Sequence, residues 1–373
     1  MAECGVATRH HVSPTSVTIV KCAPPPTPTE AFSCHDIIAY MKKILVTGGT
    51  GFIGSHTVVE LLNAGYDVDI IDNLCNSKAS VIDKISKITG KKPNFYQQDL
   101  LNQPALDQLF QTNEYYAVMH FAGLKSVSES QVKPYEYHHN NIVSTLNVIK
   151  CMLDYKVNRL IFSSSATVYG TQDSPECFES MTTGQGITNP YGRTKFIIEE
   201  ILKDISAGHP ELSITLLRYF NPIGNHPSGL IGEDPNGIPN NIMPVIIRVA
   251  QGKIAKLKVF GNDYDTPDGT GQRDFIHVVD LARGHIAALE HMQKGVNVYN
   301  LGTGTANSVL ELIYSFERIS GQKIPYEIVD RRPGDLGAVW ANPAKANAEL
   351  SWKTQLTIED AITDTLQYLK LHQ

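Results

Sequence analysis

From Ile44 onward the chain alternates short apolar runs with stretches of helical periodicity. Ile44-Leu45-Val46, Val68-Asp69-Ile70-Ile71-Asp72, Ala117-Val118-Met119-His120-Phe121, Arg159-Leu160-Ile161-Phe162-Ser163 and Ser213-Ile214-Thr215-Leu216-Leu217-Arg218 read as strands. Helical patterns lie between them over Ser55–Ala64, Asn141–Leu153 and Tyr191–Asp204, and a last one over Ile358–Leu371. Nearly continuous apolar strands alternating with helices predict an α/β protein whose doubly wound parallel sheet is covered on both faces. The texture changes after Asn221-Pro222. Residues 222–240 are rich in Gly, Pro and Asn, which predicts a boundary between a first domain, 41–221, and a smaller C-terminal α/β lobe, 222–373.

Residues 1–40 stand apart. Ala23-Pro24-Pro25-Pro26-Thr27-Pro28 suits polyproline II, and nothing before it shows sustained periodicity, so a disordered extension is expected. Met41-Lys42-Lys43 leads straight into a strand, as a translation start would. A transit peptide is the weaker reading, because Arg9 and Lys21 are the only basic residues in this segment.

Composition narrows the class. With 42% hydrophobic and 19% charged residues the chain suits a cytosol-like globular protein. A net charge of -6 gives no electrostatic reason to expect nucleic acid or an anionic membrane as partner. No apolar run approaches the roughly 18 residues of a membrane span. Six cysteines without a C-x-x-C pair read as free thiols in a reducing compartment. Cys4 with His10 and His11 fits no usual zinc spacing, so no metal is expected.

Thr47-Gly48-Gly49-Thr50-Gly51-Phe52-Ile53-Gly54 follows a strand and opens a helix. Glycines at 48, 51 and 54 let backbone N–H groups and the positive helix end approach a pyrophosphate. Glycines also simply make turns, and Asp72 alone would read as a strand-end cap. Together, with Asp72 ending the second strand eighteen residues after Gly54, they predict a Rossmann-type dinucleotide site with a carboxylate on the adenosine ribose. That carboxylate repels a 2'-phosphate, so NAD is favoured over NADP, although Lys78 lies nearby in sequence. Asp99-Leu100 follows the next strand-like run and is either an adenine contact or a helix start.

Tyr191 and Lys195 are four residues apart, one turn of helix on the same face. Alone, such a pair usually reflects packing and snorkelling. As chemistry, an ammonium beside a phenol favours the phenolate. Bringing Tyr191 from its usual pKa near 10 to neutrality needs about three units, or ~4 kcal/mol. Ser163-Ser164-Ser165-Ala166-Thr167-Val168-Tyr169-Gly170 follows a predicted strand, at the sheet edge where open α/β folds bind ligands. Ser163 and Ser164 read better as a strand-to-loop turn, and Ser165 as a hydroxyl within reach of Tyr191 and a substrate.

These stretches, with Phe121-Ala122-Gly123-Leu124-Lys125, resemble the extended short-chain dehydrogenase/reductase superfamily and, within it, the UDP-glucose 4-epimerase family. The resemblance runs from Met41 to near the C-terminus and includes Asp72-Asn73-Leu74-Cys75-Asn76-Ser77, Tyr219-Phe220-Asn221-Pro222, Gly237–Pro244, Arg273-Asp274-Phe275-Ile276-His277-Val278 and Arg331-Arg332-Pro333-Gly334-Asp335-Leu336. It implies an isomerase of galactose and nucleotide-sugar metabolism that oxidises C4 of a UDP-hexose with NAD, turns the ketone over and reduces its other face. Tyr191 would be the base, Lys195 its partner and Ser165 the relay. The NAD site would comprise Gly48, Gly51, Phe52, Ile53, Gly54, Asp72, Asn73, Leu74, Cys75, Asn76, Ser77, Asp99, Leu100, Phe121, Ala122, Gly123, Leu124, Lys125, Asn140 and Phe220 with the catalytic three. Lys125, Ser165, Tyr191, Asn221, Asn241, Ile242, Phe260, Arg273, Arg332, Asp335 and Val339 would hold the UDP-sugar. A planar guanidinium suits a diphosphate, though Arg273 alone would read as a surface ion pair.

Val339 falls where some relatives carry tyrosine, so N-acetylated UDP-hexosamines are expected to fit. A 4,6-dehydratase would need an Asp-Glu pair where this chain has Ala166-Thr167, and a non-catalytic NAD sensor would commonly lose Tyr191 or Lys195. UDP-glucuronate remains open as a substrate. The resemblance further implies a cytoplasmic homodimer joined through the helices near 141–153 and 191–204.

Overall fold

The computed structural model describes residues 42–236, 241–332 and 334–372; the expected extension, 1–40, lies outside them. Seven strands form the main sheet: β1 (Lys43–Thr47), β2 (Asp67–Asp72), β3 (Asn94–Gln97), β4 (Ala117–His120), β5 (Arg159–Ser165), β6 (Ser213–Tyr219) and β7 (Gly295–Leu301). Their order is β7-β6-β5-β4-β1-β2-β3, and every pairing is parallel. This is the doubly wound order, with its switch point between β1 and β4.

The period of two decides which side chain goes where. Ile44, Val46, Val68, Ile70 and Met119 pack on one face, under α1 (Phe52–Asn63) and α2 (Ser80–Thr89). Leu45, Ile71, Val118, Leu160 and Phe162 pack on the other, under α3 (Gln103–Thr112), α4 (Ser144–Asp154) and α5 (Pro190–Gly208). Each wholly buried aliphatic side chain contributes about 1.5–3 kcal/mol. With both faces covered, apolar residues fall on both sides of the central strands, which is why β1 and β4 are nearly continuous apolar runs.

The predicted boundary at 221 does not divide the fold, because the chain returns to the first domain. β7 pairs with β6 in register from Gly295↔Ser213 to Leu301↔Tyr219. Helix α6 (Val278–Glu290) places Leu281, Ile286 and Leu289 in the same core as α1. Its apolar face needs the sheet, and sequence order alone does not reveal that. The second lobe is built around Ile223, Met243, Ile246, Phe275, Leu312, Phe316 and Ile362 instead. It carries Ile242–Ala250, Leu257–Phe260, Gln272–Arg273, Tyr326–Val329, Ala338–Ala341 and Ile358–Leu371.

Candidate active site

A cleft of about 370 Å³ opens above the C-terminal ends of β1, β2, β4 and β5. Its floor is the glycine loop. Gly48 has φ 70°, and a Cβ there would lie 2.7 Å from the Ala122 nitrogen across the switch point. A Cβ on Gly54 would stand 2.2 Å from the Gly48 oxygen. Gly51 gives α1 no side-chain cap, and Phe52, Ile53 and Gly54 border the cleft. First-turn N–H groups left in this way take an anion, so the cradle fits the pyrophosphate of NAD.

Asp72 ends β2 beside the glycine loop. It borders the cleft, and its carboxylate accepts N–H groups from Thr50 at 3.2 Å and Leu74 at 2.9 Å, with the Ser77 hydroxyl at 3.3 Å. It therefore braces the glycine loop while bordering the cleft. Asn73, Cys75, Asn76, Ser77, Asp99 and Leu100 line the same cleft. Leu74 makes the turn among them, with φ 61°, a backbone cost that its N–H bond to Asp72 offsets.

On the opposite wall are Phe121, Ala122, Gly123, Leu124, Lys125, Asn140 and Phe220. Asn140 belongs to a π-helical turn, His139–Val143, rather than to the regular helix expected there. The turn brings in a residue that the sequence did not flag. Buried Asn141 accepts the Leu124 N–H at 2.8 Å and donates to the Leu124 carbonyl at 3.0 Å and the Thr194 hydroxyl at 3.1 Å. It ties the cofactor wall to α5.

Also missed was a strap from the second lobe. Lys125 pairs with Glu233 at 3.2 Å, Lys78 with Asp234 at 2.5 Å, and the Asn236 N–H donates to Asn76. Asn241 donates to Glu233 as well. Acidic residues in a Gly/Pro-rich loop carry no periodic signal, so only tertiary contact reveals them.

The reactive groups meet where β5 ends. Asn189 caps α5 by accepting the Gly192 N–H at 2.8 Å, and Pro190 starts it, which fixes Tyr191 in the first turn. Ser165 accepts both the N–H and the hydroxyl of Thr167, at 3.2 and 3.0 Å. Its own proton is left for Tyr191, and that bond lowers the phenol's pKa. Burial is larger and raises it, so the direction is opposite to the one expected from the Lys195 spacing. The reason is geometric. The Lys195 ammonium donates to the Ser163 carbonyl at 2.6 Å and lies 4.8 Å over the Phe162 ring. Burial pushes Lys195 down to about 8, against an attraction to Glu199 that raises it. Tyr219, another residue the sequence left unassigned, borders the cleft with its hydroxyl buried.

The expected sugar-nucleotide residues fall into groups. Asn221 and Asn241 line the main cleft. Phe260, Arg273, Arg332 and Asp335 form a separate cluster in the second lobe. Arg332 lies 4.6 Å over the Phe260 ring and donates to Asp335 at 2.8 Å, while Arg273 stands 3.8 Å from the same carboxylate. Val339 lines a second cavity of about 180 Å³ with Gly170, Gln172 and Cys177. Ile242 opens the helix that follows Asn241 and packs on the second core. Among the described residues no cluster of three or more His, Cys, Asp or Glu could hold a metal ion.

Known proteins are similar to this chain in sequence and in fold. The UDP-glucose 4-epimerase of Yersinia enterocolitica is 53% identical over 329 residues, covering 88% of this chain and 98% of that protein. The UDP-glucose 4-epimerase of Bacillus subtilis (strain 168) is 53% identical over 327 residues, covering 87% and 96%. The crystal structure of UDP-glucose 4-epimerase from Bifidobacterium longum, in complex with NAD+ and UDP, superposes with a TM-score of 0.86 at 50% identity, covering 88% of this chain and 98% of that one. The family model that matches spans residues 44–302, from the first strand to the end of β7, and the chain belongs to the NAD dependent epimerase/dehydratase family.

Proposed function

We propose that this chain is a UDP-glucose 4-epimerase that interconverts UDP-glucose and UDP-galactose with NAD. One observation carries the reading: Tyr191, Ser165 and Lys195 converge at the end of β5, in the cleft floored by the glycine loop. When bound, NAD supplies the acceptor for a hydride from C4 of the sugar and returns it to the opposite face.

The chain's own residues do the rest. Tyr191 takes the 4-hydroxyl proton and later gives it back. Ser165, its lone pairs engaged by Thr167, donates to the Tyr191 oxygen as charge forms there. Lys195, fixed on the Ser163 carbonyl, adds positive charge to the same dry site. Arg273 and Arg332 hold the diphosphate, with Asp335 aligning both guanidiniums. Anchoring that end leaves the hexose free to turn.

Ala166-Thr167 after Ser165 offers no acid or base for elimination, which weighs against a 4,6-dehydratase. Valine at 339, smaller than the tyrosine of some relatives, favours acceptance of N-acetylated hexosamines. The enzyme acts as a cytoplasmic homodimer joined through α4 and α5. Exposed Leu146 on α4 supports that face, and free Cys75, Cys151 and Cys177 suit a reducing compartment. The purified enzyme, given UDP-galactose, UDP-GalNAc and UDP-glucuronate separately, is expected to convert the first fastest. Product separation showing glucuronate as the preferred substrate would overturn the assignment.

A further inference from the structure

Glu199 takes no part in the steps above, yet it lies one turn beyond Lys195 on the same face of α5, wholly buried. Its Oε1 accepts the Ser164 hydroxyl at 2.5 Å and Arg218 Nε at 3.0 Å, and its Oε2 accepts Arg218 Nη2 at 2.6 Å. Ser164 and Arg218 are direct neighbours on β5 and β6, so two strands reach up to one carboxylate on the overlying helix. Arg218 is held in turn over the Tyr169 ring at 4.8 Å.

Three successive residues of β5 thus hold three successive turns of α5. Ser165 meets Tyr191, the Ser163 carbonyl takes Lys195, and the Ser164 hydroxyl meets Glu199. A strand and a helix fastened at three consecutive points cannot slide past each other without breaking all three. We propose that Glu199 is a positioning residue of the epimerisation site, fixing the end of β5 against α5 on either side of Lys195. The proposal rests on the assignment of Tyr191 and Lys195 given above.

A role confined to stability would need only the Glu199–Arg218 pair. Two features go beyond it. The Ser164 bond links the carboxylate to the segment that carries Ser163 and Ser165, and Glu199 attracts the Lys195 proton that burial would otherwise release. The other charged or titratable groups around Lys195 are His120 on β4, Tyr191 on α5, and Arg218 and Tyr219 on β6. His120 is buried and far below its ordinary pKa, so it is neutral. Both tyrosines are raised and likewise neutral in the absence of substrate, and Arg218 is a cation. Glu199 is the carboxylate of this set and is paired with Arg218 at 2.6 Å.

The test is a pH profile of kcat and KM for UDP-galactose on the full chain with NAD. Glu199→Gln combined with Arg218→Met removes the pair without stranding a buried charge. This double variant is expected to keep KM within about two-fold while kcat falls at least ten-fold at pH 7.5. Its alkaline limb should move about one unit towards acid, a ten-fold loss of proton affinity at Lys195. Glu199→Asp, which keeps the charge, should return the limb to its original pH. A folded double variant with the parental profile and kcat overturns the proposal. If the double variant does not fold, Ser164→Ala decides: it leaves the ion pair intact, and kcat should drop about three- to ten-fold at unchanged KM, whereas parental kcat overturns the proposal. Tyr191→Phe run alongside separates the two levels. Turnover in that variant removes the base assignment itself, while its inactivity with a normal Glu199 profile removes only the positioning role.

Discussion

Arg273 and Val339 are paired neighbours on adjacent parallel strands, in the register Gln272↔Ala338 and Arg273↔Val339. The guanidinium proposed to hold the diphosphate and the residue proposed to set pocket size are thus fixed to each other by backbone hydrogen bonds. A larger side chain at 339 can therefore act on the space beside it while the strand that carries Arg273 stays in register. UDP-GlcNAc is expected to be epimerised at a measurable rate. Val339→Tyr should cut that rate by more than about ten-fold while UDP-galactose turnover changes little, since filling a pocket rejects the larger ligand sterically. Coupled assays on both substrates check this, and equal losses on both would contradict it.

Tyr191→Phe keeps the ring and its packing and removes only the proton carrier. Turnover should fall by roughly 10²–10⁴, the usual range for a lost acid–base group. Bound NAD, read by absorbance after release with acid, should stay at parental occupancy because the glycine loop is untouched.

Gly54→Ala tests the cradle. Its methyl would sit 2.2 Å from the Gly48 oxygen, so the loop or the first turn of α1 must move. NAD retention through gel filtration is expected to be lost, with Tm lowered as well. A variant that elutes with full cofactor would show that the loop tolerates the displacement.

His120, His56 and His285 are buried and held neutral, at about 3, about 3 and about 4 respectively, mainly by desolvation. Their folded values lie below the unfolded value near 6.5, so the unfolded chain binds more protons between those limits. Their contribution is complete above pH 6.5 and is lost as pH falls from 6.5 towards 4 and then 3. The loss is on the order of several kcal/mol. Tm should be flat from pH 8 to 7 and drop steeply below 6, and His120→Asn should lessen the slope. A Tm unchanged between pH 7 and 4.5 would contradict the account.

Much of the candidate site could be read along the chain because its signals are local. The glycine spacing, Asp72 and the Tyr191/Lys195 turn each depend on residues close in sequence, and the cleft gathers them. Asn141 escaped notice because the partners it joins, Leu124 and Thr194, lie 17 and 53 residues away in sequence. Glu233 escaped because it meets Lys125 from 108 residues away.

The sequence by itself determined the alternation of strand and helix, the glycine cradle and the one-turn spacing of Tyr191 and Lys195. All follow from periodicities of 2 and 3.6 residues and from the conformations that glycine allows. Only the tertiary structure decided that β7 returns to the first sheet and that a strap from the second lobe reaches Lys125 and Lys78. It also decided that burial, rather than Lys195, has the larger influence on Tyr191. Desolvation and long-range ion pairing depend on which surfaces meet, and residues far apart in sequence do not specify that until the cores have packed.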